Sequence, residues 1–570
     1  MHYNLFKSRS RAYLEEMNNR AHEMPDVYKA VNAMQNTPFK INVKVYQVAN
    51  TIFHNGSVVG KLPSTENIPL PPKPFDIATN EEARKRWKRK ASQIHQENAT
   101  LKSKRLLIDK LIWVANEYQN YPKHYYPMQY DFRLRIYCVP MFLNPQGNDL
   151  SKSLLLFADG KPLGTPEALD KLKIHGANMF GEDKQTLANR VKWVDDNEKA
   201  IIASATDPHN HYDFWGKASE PYQFLAFCFE YQDYLSSRKG LDFVTHLICF
   251  SDCTNSGLQI FSGMLRDEVG GKATNLTNES TPQDVYQEVS NKTIEHLKQM
   301  PDSQLKRMWL DYGINRKTTK KVTMCVVYGL TQYSCRSYIE EHLEDMIEEG
   351  KPCPFVKDKD TSQATGIPTV FNATYYLSKL VWKSIGEVII SAKECMVWLQ
   401  KVSRLVSDNG LPVTFTTPTG AIVQMNYHQM KKQRVNTRMG ESMKTKKITI
   451  QHSTHKIDKR KVANAIAPCF VHALDGAILQ KSVSKASEKG IKSFACVHDS
   501  FGVLAPDVKS INDCVRESFI DIFSTENILE NFCKEITPQI HKDKRHLIPE
   551  LPKMRNLDIS LVAKSDYFCS

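Results

Sequence analysis

The sequence has no CxxC pair, although it carries 13 cysteines. The closest spacing is Cys249 to Cys253, and the number is odd. We therefore expect a reduced intracellular protein with no disulfide framework and no zinc site. Long apolar runs are also lacking. None reaches the roughly 18 residues that a membrane span needs, and the longest candidates, such as 244–250, have the length of buried strands. Met1 to Arg11 is basic but has neither an apolar centre nor a cleavage-like site, so no signal peptide is expected. No internal repeat and no low-complexity tract is visible.

What is present is a chain of 570 residues. That is too long for one compact core, and about two to four subdomains are expected. Hydrophobic residues make up 41 % and aromatic residues 10 %, which suits a folded globular protein. Lysine and arginine number 76 against 63 acidic residues, leaving +13, and this balance favours a polyanionic partner.

Along the chain, 11–22 and 27–50 read as helices with polar faces. Residues 61–77 hold Pro63, Pro69, Pro71, Pro72 and Pro74 and should form an extended connector. A basic helix is expected over Glu81–Tyr118, with Arg84, Lys85, Arg86, Lys88, Arg89 and Lys90 clustered around Trp87. A solvated face and a phosphate-tracking surface are both open readings of that cluster. Residues 131–142 alternate like a strand pair, and 244–251 read as a buried strand. Residues 285–345 are mainly helical, and 410–425 look like a hairpin. Residues 428–461 are polar and basic with little periodicity, as in a connection that is either disordered or functional. Residues 494–504 read as strand, polar interruption, strand.

Two of these segments present an aspartate beside a strand. One is Phe250-Ser251-Asp252-Cys253-Thr254-Asn255-Ser256-Gly257, and the other is Val497-His498-Asp499-Ser500-Phe501-Gly502. In the second, a tight hairpin would push the carboxylate out of a sheet; an ordinary turn cap is the competing explanation. A third segment adds Arg316, Lys320, Tyr328 and Gly329. On a helix, Lys320 lies about 40° and Tyr328 about 120° from Arg316, so the three share one side. Two cations and an aromatic on one face can bind a triphosphate and stack under a base, although an exposed helix with a buried tyrosine would look the same.

The order Asp252, then the Arg316–Tyr328 segment, then His498-Asp499-Ser500 resembles motifs A, B and C of the right-handed polymerases. In detail it is similar to the single-subunit RNA polymerases of bacteriophages and mitochondria. Further stretches carry the likeness. They are Asn144-Pro145-Gln146-Gly147-Asn148-Asp149, Lys173-Ile174-His175-Gly176-Ala177-Asn178, Phe224-Leu225-Ala226-Phe227-Cys228-Phe229-Glu230, Met264-Leu265-Arg266-Asp267-Glu268-Val269-Gly270-Gly271 and Ala467-Pro468-Cys469-Phe470-Val471-His472-Ala473-Leu474-Asp475-Gly476. The resemblance runs from about Lys29 onward.

The resemblance implies an α+β, predominantly helical right hand. After an extension at 1–29, the thumb and a helical connector would fill 30–125. The palm, with a small antiparallel sheet, would combine 126–280 with 473–570, the latter including an aromatic foot at 565–570. Helical fingers would fill 281–472 and include a specificity-hairpin-like segment at 428–461. Two Mg²⁺ ions, about 4 Å apart in such sites, would be held by Asp252, Asp499 and the backbone carbonyl of Cys253, where the family usually has glycine. Arg316, Lys320 and Lys173 would contact the triphosphate, with Tyr328 and Gly329 completing the nucleotide site, and His498 would orient the primer end. Arg133 and Arg135 resemble template-contacting arginines, with Leu134 replacing the family's glycine. Lys431, Lys432, Arg434 and Arg438 would touch DNA, chiefly phosphate.

Ribonucleotides are implied at three positions. Related DNA polymerases place a glutamate where Gly257 stands. Tyr328 and His472 match residues that sense the sugar, and a 2′-hydroxyl can both donate to and accept from such a pair. Read alone, His472 is more readily a satisfied core histidine. The third motif reads His-Asp-Ser rather than His-Asp-Glu. The expected activity is DNA-directed RNA synthesis from NTPs in an infected host's cytoplasm, with a mitochondrial setting less favoured. Only about 30 residues precede the match, so an accessory protein that opens the promoter or delivers single-stranded DNA is expected as a partner. The alternatives are a primase-like polymerase and a non-catalytic DNA-binding subunit derived from a polymerase.

Overall fold

In the computed structural model, the described residues are 4–327, 329–348, 350–357, 359–438, 445–525 and 527–570. Helices dominate, and the strands of the described residues form six small antiparallel pairs.

One long helix organises the core. Lys459–Glu488 buries most of its side chains and packs on the helices Pro25–Gln35, Ile390–Ser407 and Val508–Thr525. By length and composition it is the one helix among the described residues that is long and apolar enough to cross a membrane, in contrast to the expectation of short apolar runs only. Its most apolar window is 78 % buried inside the protein, which is what a core helix surrounded by other helices requires.

A second long helix behaves differently. Glu81–Tyr118 matches the predicted basic helix, starting at the Asn80 cap with Glu81 and Glu82 in its first turn. Ile108, Leu111, Ile112 and Ala115 are buried at helical spacing, so the last turns dock while most of the basic first half is exposed. The proline-rich connector lies along it: Trp87 Nε1 donates to the Pro71 carbonyl, and Ile68 exchanges hydrogen bonds with Asn98.

Several predicted elements shift. The 27–50 stretch is two helices, Pro25–Gln35 and Val43–His54, separated by the short strand Phe39–Ile41. The expected 131–142 pair is Met128–Tyr130 with Ile136–Cys138, joined by a turn in which Leu134 takes a φ of 63°. Residues 413–425 form the expected hairpin, Val413–Thr416 with Ile422–Met425. The 428–461 region, which showed little periodicity, is largely a ribbon of His428–Arg438 paired with Thr445–Ile457. The ribbon is exposed on both faces along most of its length, so nothing imposes the apolar–polar alternation that marks a half-buried strand.

One short two-stranded sheet positions the candidate site. Cys249–Asp252 pairs antiparallel with Ser500–Val503, with Asp252 opposite Ser500. Val497 and Ser500 exchange backbone hydrogen bonds of 2.7 and 2.9 Å, which leaves His498 and Asp499 as the two turn residues. His498 adopts a φ of 57°, the left-handed geometry that a two-residue hairpin needs.

Candidate active site

Two carboxylates 247 positions apart (499 − 252) meet at this hairpin. The Cys253 amide donates to the Asp499 carbonyl at 3.1 Å. Both aspartates line a cavity of about 1150 Å³ that also receives Lys152, Lys184, Arg316 and Lys320. Among the described residues, neither carboxylate has an ion pair or a side-chain hydrogen bond. Asp252 is the exposed end of its strand and lines the cavity. Desolvation, and then the nearby charge of Asp499, raise its pKa, and Lys152 and Lys184 oppose the shift.

The helix Arg316–Val326 carries the cations. Asn315 and Thr318 close a capping box at its start. Arg316 Nε pairs with Asp284, and its guanidinium lies 5.1 Å from the Tyr286 ring centroid. Lys320, one turn on, has a lowered pKa from desolvation and from the like charges of Arg316 and Lys184. The predicted helix partner Tyr328 lies outside the described residues. Gly329 follows it with a φ of 85°.

Other predicted residues are distributed unevenly. A Cβ on Gly257 would lie 3.1 Å from Val327 and 3.6 Å from Val471, the residues preceding Tyr328 and His472. Gly257 is buried and does not line the cavity. His472 is buried, and Arg133 Nη1 lies 3.1 Å from its Nδ1. Burial, then the charges of Arg135 and Arg133, push its pKa down to about 3. His498 lines the cavity, stands edge-on to Tyr137 with centroids 5.0 Å apart, and is pushed down to about 4 chiefly by burial. Arg133 pairs with Asp131 at 2.8 Å and Arg135 with Asp475 at 2.6 Å. Both predicted template arginines thus belong to one ion-paired turn set against the His472–Asp475 face of the core helix.

Lys173 does not line the cavity. Its Nζ lies 2.5 Å from Asp195 on the neighbouring helix Leu187–Asp196. Sequence reasoning passed over Lys184, which does line the cavity, and Lys152, whose Nζ sits 4.8 Å from the Phe250 ring centroid. A lysine just past a helix-ending glycine, Gly181 with φ 123°, is the only sequence signal for Lys184. Lys431, Lys432, Arg434 and Arg438 are exposed on the ribbon, away from the cavity lining. Its register puts Lys432, Arg434 and Arg438 on one face and Lys431 on the other.

The expectation of no disulfide is overturned. Cys253 and Cys569 are joined, with Cα atoms 4.2 Å apart and a sequence separation of 316. Cysteine spacing reports local pairs, whereas this one is made by tertiary folding. The Cys253 carbonyl accepts the Asn255 amide at 2.9 Å and keeps its second lone pair. With the two unpartnered carboxylates it makes an all-oxygen donor set, which suits a hard cation such as Mg²⁺. No cluster of three or more His, Cys, Asp or Glu side chains with metal-binding geometry occurs among the described residues.

Fold and site together define a helix-dominated α+β protein built around two strand-end carboxylates in a cation-lined cavity. Residues 161–548 match the family model described as DNA-dependent RNA polymerase, and the chain belongs to that family. It is similar to the DNA-directed RNA polymerase of Enterobacteria phage T3, at 35 % identity over 95 % of this chain and 64 % of the relative. Similarity to T7 RNA polymerase of Escherichia phage T7 is 34 % over the same shares. The mitochondrial DNA-directed RNA polymerase 1 of Arabidopsis thaliana is 30 % identical over 96 % of this chain and 54 % of its own length. The chain thus spans about 64 % of the length of its phage relatives. Among solved structures, the POL domain of Pol1 from M. smegmatis, in complex with DNA primer-template and dNTP, aligns over 89 % of this chain and 70 % of its own at 10 % identity and a TM-score of 0.41.

Proposed function

We propose that this chain is a DNA-directed RNA polymerase, a nucleotidyltransferase that extends RNA from NTPs on a DNA template. The observation that carries the reading is the Asp252–Ser500 pairing, which sets Asp499 beside Asp252 in the cavity that Arg316 and Lys320 also enter. Asp252, Asp499 and the Cys253 carbonyl would hold two Mg²⁺ ions. When bound, these supply a lowered pKa for the RNA 3′-hydroxyl and neutralisation of charge on the leaving pyrophosphate.

The chain's own residues do the rest. Arg316, Lys320 and Lys184 neutralise the triphosphate as charge develops on it. His498, fixed in the hairpin turn against Tyr137, orients the primer end. His472 stays neutral, because burial and two arginines oppose its protonation, and with Tyr328 it meets the ribose. The thumb, palm and fingers follow the divisions 30–125, 126–280 with 473–570, and 281–472. Template DNA, RNA product and NTPs are the partners. The resemblance to phage enzymes favours phage transcription in the infected host's cytoplasm.

The test is extension of an RNA primer on a DNA scaffold by the purified chain. Elongation with rNTPs and Mg²⁺, little with dNTPs and none with EDTA, is the expected result. Equal use of dNTPs would overturn ribose selection, and synthesis in EDTA would overturn the metal assignment.

A further inference from the structure

The Cys253–Cys569 link lies where residues 568–570 touch the candidate metal site. Residues 568–570 run antiparallel beside 252–254. The Ser570 amide donates to the Asp252 carbonyl at 3.2 Å, and the Thr254 amide to the Phe568 carbonyl at 3.3 Å. Between them sits the Cys253–Cys569 bridge. On the opposite edge, Cys253 donates to the Asp499 carbonyl. The backbone of 252–254 is thus clamped between the Asp499 turn and this segment, and only the segment side is covalent.

We infer that Cys569 is a positioning residue, acting through its disulfide to Cys253, that fixes Asp252 and the Cys253 carbonyl for metal binding and makes the site respond to thiols. The inference rests on the proposed metal role of Asp252. Side-chain contacts hold the segment from behind. Thr254 Oγ1 donates to the Tyr567 carbonyl, Gln259 Nε2 to Phe568, Asn512 Nδ2 to Cys569 and Arg516 Nε to Ser565, all between 2.9 and 3.2 Å. Reduction therefore leaves the segment docked but free to breathe. The loosened element is the one whose amide holds the Asp252 carbonyl.

Access has a direction. Cys569 is fully buried, whereas Cys253 borders the cavity. A thiolate arriving through the cavity attacks Cys253 Sγ and expels Cys569 as a thiolate, which takes up a proton. A second thiol of the same reductant resolves the mixed disulfide. In sum, one dithiol and the protein disulfide become one cyclic disulfide and two cysteine thiols, with two electrons transferred. A template–primer and nucleotide filling the cavity shield Cys253, so reduction is slower in the loaded protein.

The test compares the full chain equilibrated with oxidised or reduced dithiothreitol, alongside Cys569→Ser. Alkylation and mass spectrometry of a non-reducing digest read the link itself. Hydrogen exchange at 565–570 reads the segment without requiring activity. The Mg²⁺ concentration at half-maximal incorporation reads the site. Expected are a 253–569 cross-linked peptide in the oxidised protein only, faster exchange on reduction, and a rise of several-fold in the Mg²⁺ requirement. Cys569→Ser should sit at the reduced value under both conditions. Alkylation of both thiols after oxidation, or a cross-link that changes neither exchange nor Mg²⁺ requirement, would overturn the proposal. If the polymerase reading itself fails, no incorporation occurs in either state, while the cross-link and the exchange still report on the latch.

Discussion

Arg135 grips one oxygen of Asp475 with both Nε, at 2.9 Å, and Nη2, at 2.6 Å. The pair is nearly enclosed, with side chains 12 % and 4 % exposed. Removing one partner leaves a buried charge unmatched, which costs about 3–5 kcal/mol. Arg135→Ala should therefore lower the melting temperature clearly, and Arg135→Ala/Asp475→Asn should recover part of the loss. Additive losses in the double variant would contradict the pairing.

The turn that carries Arg133 and Arg135 rests on Gly476. A Cβ there would lie 2.5 Å from the Leu134 carbonyl oxygen, inside contact distance of backbone that has little room to move. Gly476→Ala is expected to destabilise by about 1–3 kcal/mol through overpacking, and to weaken incorporation because His472 and Arg133 shift together. A melting curve and a single-turnover rate measure both.

Asp252 gives a pH-dependent prediction in metal-free protein. Its folded pKa is raised, so the native state binds more protons than the unfolded chain. Stability is thus lost as pH rises from the ordinary carboxylate range, about 4, through the raised folded value. Asp499→Asn removes the repelling charge. In EDTA the wild type's melting temperature should fall across that window, and the variant's should fall less. Parallel curves would show that the two carboxylates do not sense one another.

Lys184 and Lys173 separate the structural reading from the sequence reading. Lys184→Ala removes a cavity cation and should raise the KM for NTP by about ten-fold or more, on the scale of a charge-assisted contact worth roughly 1.5–3 kcal/mol. Lys173→Ala breaks an ion pair with Asp195, and KM should change little. Steady-state kinetics on a primed scaffold decide between them.

The ribbon makes a directional claim about DNA. Lys432, Arg434 and Arg438 share a face. Replacing Lys432 and Arg434 with alanine should lower the salt slope of duplex binding by about one per residue. Lys431→Ala, on the other face, should lower it less.

How much of this was legible in the sequence depended on what each signal measures. Glu81–Tyr118 was readable in full, because its capping residue, acidic first turn and helix-forming composition act locally. The strand before Asp252 and the hairpin around Asp499 were readable because apolar runs flank short polar breaks. Their meeting was not, since it depends on contacts 247 residues apart; only the family resemblance anticipated it. A still longer separation, 316 positions, hid the Cys253–Cys569 bond. The ribbon was hidden for the opposite reason, since a strand pair solvated on both faces carries no alternation. Lys173 came from the family resemblance alone, whereas Lys184 carries no motif. Only the chain reversal after Gly181 brings Lys184 to the cavity. Arg133 and Arg135 looked like template contacts, and nothing local revealed Asp475, 340 positions on, as the partner of Arg135.

The central claim is that Asp252 and Asp499 act as one metal-holding unit. The most direct test is single-nucleotide incorporation by Asp252→Asn and Asp499→Asn on a preformed RNA–DNA scaffold, with scaffold binding measured in parallel. The account predicts a near-complete loss of incorporation in each variant, no further loss in the double variant, and scaffold affinity within about two-fold of wild type, because groups that act as a unit are not additive. Substantial RNA synthesis by either single variant would contradict it.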